Sequence, residues 1–175
     1  MKKFKFVSAI LALVLMAGCA SSMKDIKVDA ESDPKVNLKG YKSYMWAASA
    51  QLIKDSQDQW VAPNMDTSYE IKFLVDKQLR SKGLTEVENN PDLIVSAAIG
   101  VDMDALQIKK DPKTKMDILE NAPQSALIIA LSDAATGYPV WIGAATGNAQ
   151  KEPQVDIAKK RLEYAVNKIF KKLPR

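Results

Sequence analysis

One thiol is available for chemistry in this sequence. Cys19 is the only cysteine among 175 residues, and there is no histidine. It closes the run Leu15-Met16-Ala17-Gly18-Cys19, behind Lys2, Lys3, Lys5 and an apolar stretch from Val7 to Ala17. A basic start, an apolar stretch too short for a comfortable membrane span and small residues before a cysteine describe an export signal of the lipoprotein type. In such a lipobox the sulfur accepts a diacylglycerol. Cleavage then frees the cysteine amine for a third acyl chain. Met16 stands where leucine is commoner. Three chains at about 0.8 kcal/mol per buried CH₂ anchor a protein far more firmly than one. With Cys19 acylated, Cys-His and Ser-His-Asp catalysis, histidine-containing zinc sites and cysteine-pair redox chemistry are closed to this chain.

The other candidates are thin. Ser21/Lys24 and Ser32/Lys35 have the Ser-x-x-Lys spacing, which works when both residues share a helical turn in a dry cleft. The first pair lies in a polar tether, the second straddles Pro34, and Ser-Asp-Asn and Lys-Thr-Gly are absent. Asp102 and Asp104 would share a strand face, as paired carboxylates or calcium ligands do. Without an Asp-x-Asp-x-Asp-Gly loop they read as turn solvation. No glycine-rich phosphate loop is present. The expectation is no catalytic residue, no metal and no cofactor. A small hydrolase using carboxylates alone is the residual enzymatic reading.

The elements that would carry a site come next. Residues 1–18 form the signal, 19–25 a lipidated tether and 26–175 one domain. Removing the signal from 175 residues leaves 157, one domain's worth, and takes three of the 25 basic residues with it. The remaining 22 basic residues nearly balance 21 acidic ones, so nucleic acid is not an expected partner. Ala20 after the cysteine, in place of the Asp that retains lipoproteins at the inner membrane, points to the periplasmic face of the outer membrane.

Residues 126–148 read as a hairpin. Leu127, Ile129 and Leu131 would face one way, Ala126, Ile128, Ala130 and Ser132 the other. Asp133-Ala134-Ala135-Thr136-Gly137 would close it, with Gly137 at positive φ. Strands are also expected at 26–36, 41–46, 85–87 and 93–101. Thr67 to Gly83 reads as a helix with Thr67 and Glu70 as capping box and Ile71, Leu74, Val75 and Leu79 as its buried stripe. A second helix from Val155 to Leu173 buries Val155, Ala158, Leu162, Ala165, Val166, Ile169 and Leu173. Its other face carries Lys159, Lys160, Arg161, Lys168, Lys171 and Lys172, a solvated basic face whose last turn complements the helix dipole or, alternatively, a surface for anionic lipid head groups or glycan. Small residues at Gly143, Ala144, Ala145 and Gly147 would let this helix lie close to the return strand. Alternation of this kind indicates an α+β domain, a mainly antiparallel β-sheet with two helices packed on one face.

Two long segments, 47–64 and 104–124, read as irregular and polar, which in a compact domain favours function. Their candidate recognition residues are Trp60, Asp104, Lys109, Lys110, Lys113 and Lys115.

The chain resembles a family of bacterial lipoproteins known as domain of unknown function 4136. The resemblance rests on Tyr41-Lys42-Ser43-Tyr44-Met45-Trp46, the helix end Leu79-Arg80-Ser81-Lys82-Gly83, Pro91-Asp92-Leu93-Ile94-Val95, the turn from Asp133 to Trp141, and the closing helix ending Leu173-Pro174. It implies an α+β lipoprotein and carries over no catalytic residue. The expected function is a non-enzymatic, lipid-anchored envelope module whose partners are the membrane, through its lipid, and an envelope protein. An auxiliary subunit of an envelope transport or lipid-trafficking system is the alternative. Oligomeric state is not legible.

Overall fold

The computed structural model describes residues 23–53 and 59–174. The signal, Cys19 and the first part of the tether, Ser21 included, lie outside the described residues. In chain order the elements are β1 (Lys27–Ser32), β2 (Ser43–Trp46), β3 (Gln51–Ile53), α1 (Thr67–Ser81), β4 (Thr85–Glu86) and β5 (Leu93–Asp102). Then come β6 (Leu106–Lys110), β7 (Asp117–Asn121), β8 (Gln124–Asp133), β9 (Pro139–Asn148) and α2 (Val155–Lys171).

Seven strands make one sheet in the order β1-β9-β8-β5-β2-β4, and β3 pairs β5 further along the edge that β2 occupies. The α+β class holds, but the sheet is mixed. The long pairings β1–β9, β8–β9 and β5–β8 are antiparallel. β2 and β3 run parallel to β5, and β4 parallel to β2. The cause is α1, which carries the chain from β3 back to the start of β4, the crossover that parallel neighbours need. Strands of two to four residues hold too little alternation to reveal their direction.

Both helices pack on one face of the sheet, side by side. Leu127, Ile129 and Leu131 are buried there, while Ile128, one residue out of step, is 47% exposed on the other face. The α1 stripe is buried as expected. In α2, Leu162, Ala165, Val166 and Ile169 are buried, joined by Phe170, whose ring centroid lies 5.5 Å from that of Trp141. Val155 is 37% exposed and not part of the stripe. Burying Leu162, Val166, Ile169 and Phe170 contributes about 1.5–3 kcal/mol each.

Two local readings need correction. The α1 N-cap is Asp66, whose carboxylate accepts from the Tyr69 N–H at 2.9 Å, and Glu70 pairs with Lys159 at 3.1 Å instead of reaching back. An aspartate one position earlier out-competes the threonine for the same N–H groups. The 104–124 segment is not irregular. Its residues form β6 and β7, paired only with each other, and β8 begins at Gln124. Segment 47–64 likewise contains β3.

The hairpin turn is as expected. Asp133 accepts from the Thr136 N–H at 2.8 Å and hydroxyl at 2.9 Å, and Gly137 sits at φ +73°.

Candidate functional site

Strand directions place several features at one end of the sheet, the pole opposite the 133–137 turn. β1 begins there, β3 and β5 end there, and β8 begins where β9 ends. The N-termini of both helices face the same pole, since Thr67 of α1 and Ala158 of α2 line one cavity there. The chain enters from its N-terminal segment through Met23–Asp25, and the β6–β7 arm leaves from it.

At this pole a cavity of about 120 Å³ lies between α2 and the sheet. Its floor includes Ile99, Val101, Leu127 and Ala145, and Ala158, Leu162 and Ala165 form the helix wall. Trp60, Pro63 and Met65 close it from the β3–α1 connection. That connection is fastened by the Val61 N–H, which donates to the Lys151 carbonyl at 2.9 Å. Helix–sheet spacing explains why space exists here. Near the far end of α2, a Cβ on Gly143 would lie 2.4 Å from Ile169 Cγ2, so helix and sheet touch. Toward the near end the facing residues are Ala145, Ala158 and Ala165, too short to fill the gap.

One ion pair crosses the rim. Arg161 Nη1 donates to Asp25 Oδ1 at 2.9 Å and Nη2 to Oδ2 at 2.6 Å. The Asn148 N–H also donates to Asp25, at 2.7 Å. The Arg161 hydrogen bonds hold the Asp25 carboxyl below its ordinary range, against the opposing effect of burial. Both charges are thereby engaged with each other, which leaves an apolar recess. Among the described residues, the charged pair at this rim is Asp25 with Arg161.

The arm is the second feature. β6 and β7 pair from Leu106↔Asn121 to Lys110↔Asp117, and the pairing continues toward the body through the Ala122 N–H to the Ala105 carbonyl, 2.7 Å. Leu106, Ile108 and Leu119 share one face and are 62%, 72% and 70% exposed.

Trp60 and Asp104 fall at this pole, and the four lysines lie on the arm that leaves from it. Trp60 lines the cavity. Asp104 accepts from Gln59 Nε2 at 3.2 Å, and its own N–H donates to Asp102 at 2.9 Å, the turn role expected for this pair. Lys109 pairs with Glu120 at 3.0 Å and Lys110 with Asp117 at 2.8 Å. Lys113 and Lys115 occupy the tip, where Asp111 accepts from the Lys113 N–H at 2.7 Å and Lys115 has φ +61°.

Sequence reasoning missed Arg161 and Asp25, assigned to a solvated helix face and to the tether. It also missed Asp76, the charged residue buried in α1. Asp76 accepts from the Tyr44 hydroxyl at 3.0 Å, Trp46 Nε1 at 2.8 Å and Lys72 Nζ at 2.6 Å, and Lys72 also reaches Glu86 at 2.6 Å. Burial and Asp76 push the Tyr44 hydroxyl up. Burial works against the charge on Lys72, but Asp76 and Glu86 outweigh it and raise its pKa. The signal available was the i,i+4 spacing of Lys72 and Asp76 beneath two aromatics. With three donors on one carboxylate, the cluster fastens β2 to α1. Among the described residues no group of three His, Cys, Asp or Glu side chains is placed to hold a metal ion. No described helix is long and apolar enough to cross a membrane.

Known proteins share this fold. A DUF4136 family protein from Bacteroides thetaiotaomicron is similar over 85% of this chain and 95% of its own, at 14% identity and TM-score 0.53. A PDZ domain protein from Parabacteroides distasonis matches at 12% identity and TM-score 0.53, covering 92% of this chain and 40% of that longer one. A PelC dodecamer from Paraburkholderia phytofirmans is more distant, at 15% identity and TM-score 0.49 over 82% of this chain and 94% of that one. No curated protein matches the chain. The family profile described as a domain of unknown function covers residues 28–175, from the start of β1 through α2, and the chain belongs to that family, DUF4136.

Proposed function

We propose that the chain is a non-enzymatic, lipid-anchored binding module of the cell envelope, held by Cys19 at the periplasmic face of the outer membrane. The observation that carries this reading is the apolar cavity at the pole where the chain enters from Cys19. Enclosed apolar cavities of comparable size accept a guest of about benzene size, and this recess is open on one side, so a side chain can enter it. One leucine or phenylalanine side chain of a partner protein meets that description. A lipid tail is the poorer guest, since leaving a bilayer forfeits ~0.8 kcal/mol for every CH₂ that the recess leaves uncovered.

The test is a photo-cross-linking residue in place of Met65 at the cavity, compared with one at Tyr138, 75% exposed on the opposite pole. In cells carrying the full lipoprotein, Met65 should give a discrete protein adduct and Tyr138 should not. Ala158→Leu, which fills the recess, should remove that adduct. Equal adducts at both positions, or an adduct that survives the filled recess, would count against the reading. An adduct with a translocation component would move the function to the transport alternative.

A further inference from the structure

We infer that the β6–β7 arm is a second membrane contact, lying on an anionic lipid surface with Leu106, Ile108 and Leu119 toward the acyl boundary and Lys113 and Lys115 among the phosphates. The inference rests on the reading of Cys19 as the anchor. Three observations combine.

The first is exposure. A two-stranded hairpin is marginal in water by itself, and this one presents three large apolar side chains on one face, each more than 60% exposed. Met116 at the tip adds a fourth, 65% exposed. Residue register puts Leu106, Ile108 and Leu119 together because partners across the hairpin share a face and alternate residues return to it.

The second is reach. Cys19 stands six residues before Asp25, so the tether spans at most roughly 20 Å of extended chain. The arm leaves the same pole, and its five residue pairs run to about 17 Å before the turn is added. A body held that close to the bilayer by this pole brings the arm to the head groups.

The third is charge. The arm carries Lys109, Lys110, Lys113 and Lys115. Glu120 and Asp117 neutralise the first two, on the strands. Lys113 and Lys115 cap the tip beyond those pairs, and with Asp111 beside them the tip keeps one net positive charge. An apolar face edged by lysines suits the boundary between acyl chains and anionic head groups, where the long stems stay apolar and the ammonium groups reach phosphate.

The experiment uses the full lipoprotein in vesicles of phosphatidylglycerol and phosphatidylethanolamine containing a bromine-labelled acyl lipid. Acylation occupies the Cys19 thiol, so Ile108→Cys and, separately, Tyr138→Cys each give one labelling site for an environment-sensitive fluorophore. Lipid bromine should quench the label at position 108 strongly and the label at 138 little. Lys113→Gln and Lys115→Gln should each reduce the lipid-contacting population roughly fivefold, and phosphatidylcholine vesicles should act likewise. Equal quenching at the two positions overturns the inference. So does energy transfer between labelled arms without lipid quenching, which would seat the arm on a second copy. If the same reagent labels the unsubstituted protein, Cys19 is free; the anchor reading fails on that readout, and the arm inference falls with it.

Discussion

Gly137 and Gly143 are both glycines of necessity, for different reasons. Gly137 has φ +73° with open space around the Cβ position, so its requirement is conformational. Gly137→Val should cost ~1–2 kcal/mol, while Gly137→Asn, which tolerates that conformation, should cost much less. Matching urea midpoints for the two variants would show the strain to be absent. Gly143 has ordinary φ, but an added Cβ meets Ile169 at 2.4 Å and the Trp141 ring at 2.7 Å. Gly143→Ala should cost about 1–3 kcal/mol through overpacking, and combining it with Ile169→Ala should cost less than the two losses added. Asp25 gives a pH signature. Its lowered pKa means that its contribution is complete above the unfolded value of about 4 and is lost as pH falls through the folded value. Arg161→Gln should therefore lower stability by about 1 kcal/mol near neutral pH, allowing for solvent screening, and change it little near pH 2. Denaturant titrations at the two pH values decide. At the opposite pole, burial and the Asp133 carboxylate push the Tyr41 hydroxyl up to about 12, so Tyr41 stays a neutral donor to Asp133 at 2.9 Å throughout that range.

Among the elements, α1, β5, the β8–β9 hairpin and α2 were legible because each is long enough for its period to show. Leu162, Ala165, Val166 and Ile169 can only share a helical face, and Leu127, Ile129 and Leu131 only a strand face. The parallel placement of β2–β4 was hidden in strands too short to alternate. The arm was hidden differently. Its apolar residues alternate imperfectly, since Ile118 and Leu119 are adjacent and point to opposite faces, and charged residues follow Ile108 and flank the Ile118-Leu119 pair. The candidate site was half legible. Trp60 and the lysines could be named from composition, but the pairing of Asp25 with Arg161 joins residues 136 apart and depends on how α2 crosses β9. Because β6 and β7 pair only with each other, replacing residues 106–121 with a short Gly-Ser turn between Ala105 and Ala122 should leave a cooperative melt, with stability changed by about 1 kcal/mol or less. A lost or broadened transition would mean that the arm supports the core.

For the whole molecule, the arrangement gathers chain entry, cavity and arm at one pole and leaves the 133–137 turn at the other. Cys19→Ser should abolish fatty-acid labelling and release the protein from membranes or leave it as precursor, as fractionation would show. Undiminished detergent-dependent retention would mean that another feature holds it.

The edge position of β1 has a mechanical consequence. When a chain anchored through its N-terminus is tugged, the pull enters at Asp25 and runs along the axis of β1. Hydrogen bonds between antiparallel strands lie across that axis, so the six β1–β9 residue pairs from Lys27↔Thr146 to Ser32↔Trp141 share the load in shear instead of parting one after another. The Asp25–Arg161 clamp comes first in line and ties the point of loading to α2. In a chain held at Cys19, an outer strand, ordinarily the weakest place in a sheet, would act as a tension member, and lifetime under force would depend on the rate at which that one seam slips.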